Sequence, residues 1–258
     1  MAANLVARAA VLTWGSFALT LANAAPPPNT YRFDFGPDPQ ANVQATFTAI
    51  NMPAGLLAKA YLIPSGQLTL STSSGNPGVA DAMLRLNGID RGVPPAPANG
   101  GVFTFSDLLR DFISATNTAN SLPVLTMVVN GFSANTRYQG TFWSYDAAAP
   151  VQNDEKSEWF INGKSFMNYA YNTSLPPRSN TDTRVSFSTT FDIGPKDADR
   201  RVVFTGKYVA GPQVSALLNG VEFIPIAAIP EPAQWQMLIV ALPFLGWTLY
   251  RRKAGRVS

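Results

Sequence analysis

Between about Tyr31 and Ile226, apolar residues recur at every second position, and this period is the feature that most restricts the fold. Leu125, Met127 and Val129 fall on one side of an extended chain, with Thr126 and Val128 on the other. Phe187, Thr189 and Phe191 likewise alternate with Ser186, Ser188 and Thr190. The β-branched and aromatic residues in these runs suit a half-buried pleated surface. Candidate strands are Tyr31–Phe35, Val43–Ile50, Gln67–Ser71, Ala82–Leu86, Leu122–Val129, Tyr138–Asp146, Glu158–Ile161, Arg184–Ile193, Arg201–Val209 and Leu217–Ile226.

The punctuation between the runs agrees. Asn-Gly pairs begin at Asn87, Asn99, Asn130, Asn162 and Asn219, and both residues of such a pair accept the positive φ of tight turns. One stretch departs from the strand period. Leu108, Leu109, Phe112 and Ile113 follow the capping residue Ser106 at helical spacing, so one short helix or helical turn is expected there. Many short strands without a 20–50-residue repeat indicate an all-β, antiparallel β-sandwich or jelly roll. Phe132–Tyr138 has the order of a tyrosine corner, in which the Tyr138 hydroxyl clamps upstream backbone.

Composition removes whole classes of chemistry. The chain has no His and no Cys, which excludes Ser-His-Asp and thiol catalysis, His-ligated metals, zinc ribbons, iron–sulfur clusters and disulfides. Lys and Arg number 19 against 16 Asp and Glu. Setting aside Arg8, Glu231, Arg251, Arg252, Lys253 and Arg256 leaves 14 basic and 15 acidic residues, so the body is neutral and nucleic acid is not an expected partner.

The ends carry the excess charge because they read as addresses. Residues 1–24 form a signal peptide: Arg8, an apolar run from Ala9 to Ala22, and small residues at Ala22 and Ala24. Signal peptidase is the expected partner, with cleavage before Ala25. The run is short for a bilayer about 30 Å thick, and Pro26, Pro27 and Pro28 stop any helix behind it. At the other end, Pro230, Glu231 and Pro232 precede an apolar stretch, 233–250, and then Arg251, Arg252 and Lys253. As a helix that stretch reaches about 27 Å, enough for a thin bilayer, with the basic cluster held on the cytoplasmic side. The chain therefore divides into residues 1–24, a β-sandwich domain at 25–228 and a tail at 229–258.

The tail resembles the PEP-CTERM sorting signal of Gram-negative bacteria: a Pro-Glu-Pro triplet, one apolar span and an Arg-rich end on an exported chain. Ile229 stands where that family commonly has Val. The resemblance implies recognition of Pro230, Glu231 and Pro232 by a membrane exosortase, and retention in the inner membrane by Arg251, Arg252 and Lys253. It also implies delivery to the cell surface or extracellular matrix. The body, from Phe33-Asp34-Phe35-Gly36 through Phe142–Asp146 to Leu218–Phe223, resembles galactose-binding-like jelly rolls.

Sugar-binding sandwiches combine flat aromatic faces with amides and carboxylates that hold hydroxyls. Suitable residues cluster at Trp143, Tyr145, Asp146, Trp159, Asn162, Tyr169 and Tyr171, of which the first five are the leading candidates, around a polar segment, Asp146–Glu158, that reads as an exposed loop. Exopolysaccharide is the partner this implies. Two other readings share the same residues and address. Asp146, Asp154, Glu155 and Glu158 offer paired carboxylates for glycoside hydrolysis without histidine. Alternatively the body is a structural or adhesive matrix component, its Thr-, Ser- and Asn-rich faces touching polysaccharide without a defined pocket. No nucleophile elbow, phosphate-cradling loop or EF-hand is present, so no cofactor is expected; calcium on the acidic loop has no motif behind it. The body therefore reads as a non-catalytic module.

Overall fold

The computed structural model describes residues 28–40, 42–52, 60–62, 66–75, 84–92, 101–102, 104–117, 122–146, 148, 155–171, 178–179, 181–195, 200–211 and 215–228. The signal peptide, with Ala22, Ala24 and Ala25, lies outside the described residues, as does the tail from Ile229 onward with its triplet and basic cluster. Among the described residues no helix is long and apolar enough to cross a membrane.

The body is all-β and its two main sheets form a sandwich. One sheet has five strands in the order β11 (Ser186–Ile193), β8 (Thr136–Trp143), β14 (Gly220–Ala228), β1 (Tyr31–Pro37) and β2 (Thr48–Met52). Its pairings are antiparallel except β1 with β2, which run parallel. The other has six strands, ordered β10 (Lys164–Tyr171), β9 (Glu155–Ile161), β12 (Val202–Ala210), β7 (Pro123–Val129), β4 (Leu68–Ser74) and β3 (Ala60–Leu62), all antiparallel. A third, three-stranded sheet of β13 (Ser215–Leu218), β6 (Asp111–Asn117) and β5 (Leu84–Asp90) packs against β1 and β7.

The alternation in the sequence sets what faces inward. Phe33, Tyr138, Phe142, Phe187, Phe191 and Phe223 come from the five-stranded sheet; Leu70, Leu125, Met127, Trp159 and Phe204 come from the six-stranded one, and all are buried. Their rings meet edge-on or offset, as between Phe132 and Phe223 or Phe142 and Phe204. Such aromatic pairs add about 0.5–1.5 kcal/mol each beyond the area they bury. The tyrosine corner forms as read: the Ser133 N–H donates to the Tyr138 hydroxyl at 3.1 Å.

Two local readings need correction, and a third holds in its shorter form: the helical spacing at Leu108–Ile113 yields a single 3-10 turn, Asp107–Leu109, and then Phe112 and Ile113 enter β6. Those four residues share a period because both forms bury them, not because a helix continues. Asn87-Gly88 lies inside β5 rather than in a turn. A Cβ on Gly88 would fall 2.6–2.7 Å from the backbone of Gly36, Pro37 and Met52, so glycine is what lets β5 cross β1 and β2 this closely. Finally, Leu217–Ile226 is not one strand. Asn219 interrupts it, and the chain leaves the three-stranded sheet for the five-stranded one. The buried Asn219 side chain accepts from the Tyr145 N–H and donates to the carbonyls of Asp111 and Tyr145, fixing that change of sheet. Asn162-Gly163, by contrast, is the hairpin turn expected, with φ of 48° and 80° joining β9 to β10.

Candidate functional site

The aromatic residues expected to form a sugar platform are core residues. Trp143 is 2% exposed and sits edge-on to Phe47 and Phe105. Trp159 is fully buried, packs on Phe142 and Phe187, and donates its indole N–H to the Ser157 hydroxyl at 2.9 Å. Tyr145 is 3% exposed, and burial raises the pKa of its phenol. No sugar face can reach these rings from solvent. The physical reason differs between them: Trp159 shares the inward face of β9, whereas Trp143, on the outer side of β8 with Gln139 and Thr141, is covered by Phe47 and Phe105.

The polar candidates are also structural. Asp146 does not open an exposed loop: its carboxylate is buried and takes two hydrogen bonds from Arg91, at 2.9 and 2.5 Å. The Arg91 guanidinium lies over the Phe112 ring as well. Asn162 is exposed but is a turn residue, its side-chain oxygen accepting from the Val203 N–H at 2.9 Å. Glu158 stands on the outer face of the six-stranded sheet, away from Asp146. Asp154 lies outside the described residues. Among the described residues no group of three or more Asp and Glu is placed to hold a metal ion, which leaves the calcium reading without ligands there.

A cleft appears instead where β10, an edge of the six-stranded sheet, passes the β11 edge of the five-stranded one. It encloses about 550 Å³. Gln139, Thr141 and Ser188 project from the outer face of β8 and β11, Thr181 and Thr183 from the turn before β11, and Met167 and Asn168 from β10. The deepest wall is formed by Phe187 and Tyr169. Tyr169 donates its hydroxyl to the Ser144 carbonyl at 2.8 Å, pinning β10 against the end of β8; its burial puts its pKa well above the ordinary phenol value. Asp182 caps the turn by accepting from the N–H groups of Arg178 and Arg184, which holds its pKa below the usual carboxylate range despite the desolvation that opposes it. Among the described residues no ionisable side chain other than the buried Tyr169 lines the cleft. It is a concave surface in which hydroxyls and amides are set among a larger apolar area, able to exchange hydrogen bonds with a hydroxylated solute.

A second cluster was not anticipated from the sequence. Asp90 and Asp111 are opposite one another in β5 and β6. Arg110 grips Asp90 with two hydrogen bonds, at 2.7 and 2.6 Å, and lies 3.6 Å from Asp111. Asp90 is held down at about 2 by that guanidinium, whereas burial pushes Asp111 up to about 7, reinforced by the charge of the neighbouring Asp90 carboxylate. Below neutral pH Asp111 is therefore mostly protonated, and neither of its carboxyl oxygens meets a hydrogen-bond partner among the described residues. Nearby, Asp34 is buried and pushed up to about 6, although it accepts from the Gln44 N–H at 2.6 Å. The sequence signal for this cluster was present in Asp90-Arg91 and Arg110-Asp111, charged pairs each preceded by apolar residues.

No family model matches the chain, and no curated protein matches it. Among solved structures it is similar to the extracellular domain of ANXUR2 from Arabidopsis thaliana, at 14% identity over 78% of this chain and 51% of that one, with a TM-score of 0.45. It is also similar to the Bacillus subtilis protein YxiM, at 12% identity over 78% of this chain and 41% of that one, with a TM-score of 0.40. A family 35 carbohydrate binding module from Clostridium thermocellum matches at 10% identity over 54% of this chain and 90% of that one, with a TM-score of 0.29. The chain thus spans about half or less of the length of the first two. Likenesses at this level assign it neither a family nor a ligand.

Proposed function

We propose that this chain is an exported, non-catalytic β-sandwich that binds a neutral polysaccharide at the cell surface or in the extracellular matrix, delivered there by exosortase processing of its tail. The observation that carries the binding half is the β10–β11 cleft, built from Gln139, Thr141, Asn168, Thr181, Thr183 and Ser188 with no charged side chain among its described lining residues. Neutral sugars present many donors and acceptors and no charge, and such a wall matches them. The routing half rests on the ends of the sequence: Arg8 and the A-x-A pattern at one, Pro230-Glu231-Pro232 and Arg251-Arg252-Lys253 at the other. The galactose-binding-like jelly-roll reading of the body is part of the same proposal. The non-catalytic reading is supported by the carboxyl pair Asp90 and Asp111, since Asp111 is buried and the pair is occupied by Arg110. A glycosidic bond cannot enter between them.

Calorimetric titration with neutral oligosaccharides drawn from the cell's own matrix tests the binding half. Replacing Gln139 and Asn168 by Ala together should weaken binding by about tenfold or more, since each lost hydrogen bond is worth about 0.5–1.5 kcal/mol. Binding should be flat with salt, because none of the described residues that line the cleft is charged. Unchanged affinity in the double variant removes the cleft from the account. Intact mass of protein recovered from the cell surface tests the routing half. Loss of both residues 1–24 and everything beyond about Pro230 is expected; a full-length mass contradicts it.

A further inference from the structure

The outer face of the six-stranded sheet presents cations that have no acidic partner. Arg201, Val203, Thr205, Lys207 and Val209 share that face along β12 and the residue before it. Among the described residues, neither Arg201 nor Lys207 lies within ion-pair distance of a carboxylate. Glu158 is directly opposite Lys207 in β9, yet the ammonium lies over the Phe160 ring, 4.3 Å from its centre. Lys156, on the same side of β9, is exposed and adds a third positive charge, against Glu158 alone.

Between the cations the face is flat and hydroxyl-rich. A cross-strand row runs from Ser71 through Thr126, Thr205 and Phe160 to Ser165, each opposite the next in the ladder. At the Arg201 end there is an open depression of about 510 Å³, lined by Thr69, Val128, Asn130 and Arg201. Arg201 and Lys207 are six residues apart on one strand, about 20 Å, a span that several sugar units bridge.

We infer that this face binds an extended acidic polysaccharide, with a uronate carboxylate held by Arg201 in the depression and the chain running along β12 over Phe160 to Lys207. A guanidinium with no internal partner offers its planar fork to a carboxylate. Phe160, Val203 and Val209 supply apolar contacts for the CH faces of the sugar rings, and Val209 is 51% exposed. This surface is separate from the β10–β11 cleft, so the inference does not depend on what the cleft binds.

The test uses the full chain in detergent solution and polygalacturonate oligomers, with uncharged dextran as the control, at low and at physiological salt. Binding of polygalacturonate that weakens with salt is expected, with dextran leaving this face untouched. Arg201→Gln should lower polygalacturonate affinity by about tenfold or more, the range of a lost charge-assisted contact, and Lys207→Gln by less. Both variants should keep the wild-type melting temperature and the wild-type response of the cleft to neutral oligosaccharide. Polygalacturonate affinity that Arg201→Gln leaves unchanged overturns the inference. So does equal, equally variant-sensitive binding of double-stranded DNA or of phosphatidylglycerol vesicles, which would make the face a general polyanion or membrane surface.

Discussion

The outer faces of the two main sheets handle charge in opposite ways. On the five-stranded sheet, cations are matched across the ladder: Arg32 is opposite Glu222 in β1 and β14, and Arg137 is opposite Asp192 in β8 and β11, and both form ion pairs. On the six-stranded sheet Lys207 is also opposite a carboxylate, Glu158, and does not pair with it, while Arg201 faces a depression with no acidic group among the described residues. The difference teaches that opposition in register does not by itself make an ion pair. Where an aromatic ring or a vacant neighbour competes, the cation stays available to solvent and to ligands.

A graded series of cation removals sharpens this contrast. The largest loss is expected for Arg91→Met, which leaves the fully buried Asp146 carboxylate without its guanidinium; removing one member of a buried pair costs about 3–5 kcal/mol. Arg32→Gln should cost about 1 kcal/mol, because its pair with Glu222 is only partly shielded from water. Arg201→Gln and Lys207→Gln should change stability by less than about 1 kcal/mol, Lys207 losing an exposed cation–π contact and neither losing an ion pair. Urea unfolding of the four variants checks the order. A destabilisation by Arg201→Gln as large as that by Arg32→Gln would erase the distinction between the two faces.

The covered end of the sandwich makes the next, smaller distinction, through pH. Asp34 and Asp111 have pKa values raised to about 6 and about 7 from an ordinary value of 3.8. The folded protein therefore binds more protons than the unfolded chain between about pH 4 and pH 7, and the stability they contribute is present in acid and lost as pH rises through that window. Asp90, lowered to about 2, works the other way, its contribution being lost as pH falls from about 4 to 2. Thermal melts should show declining stability from about pH 4 to pH 7 and little change above. Asp111→Asn, which keeps the side chain's size and cannot ionise, should flatten that decline and raise the melting temperature at pH 8. A decline of unchanged slope in this variant would place the effect elsewhere.

The body's strands were legible because burial of one face imposes a period of two, and Leu122–Val129, Arg184–Ile193 and Arg201–Val209 each contain or overlap one observed strand. The missed elements had no such constraint. β6 begins at a buried charged residue, Asp111, and β10 contains a register shift between Ser165 and Met167 that breaks the alternation. The break at Asn219 was invisible because the side chain replaces backbone partners that only the folded chain brings near. The site was less legible than the fold. Trp143, Tyr145 and Trp159 were chosen for ring chemistry, yet the same pattern that makes their segments strands turns those rings inward or beneath covering loops. The cleft gathers Gln139, Asn168 and Thr183 from three distant stretches, and none is distinctive until β10 and β11 are neighbours.

The most direct measurement of the central claim is amide hydrogen exchange across the full chain, with and without neutral matrix oligosaccharide. The account predicts added protection in residues 139–141, 167–170 and 181–188, with none at Arg201 and Lys207. Protection confined to other segments, or no change at saturating oligosaccharide, would contradict it.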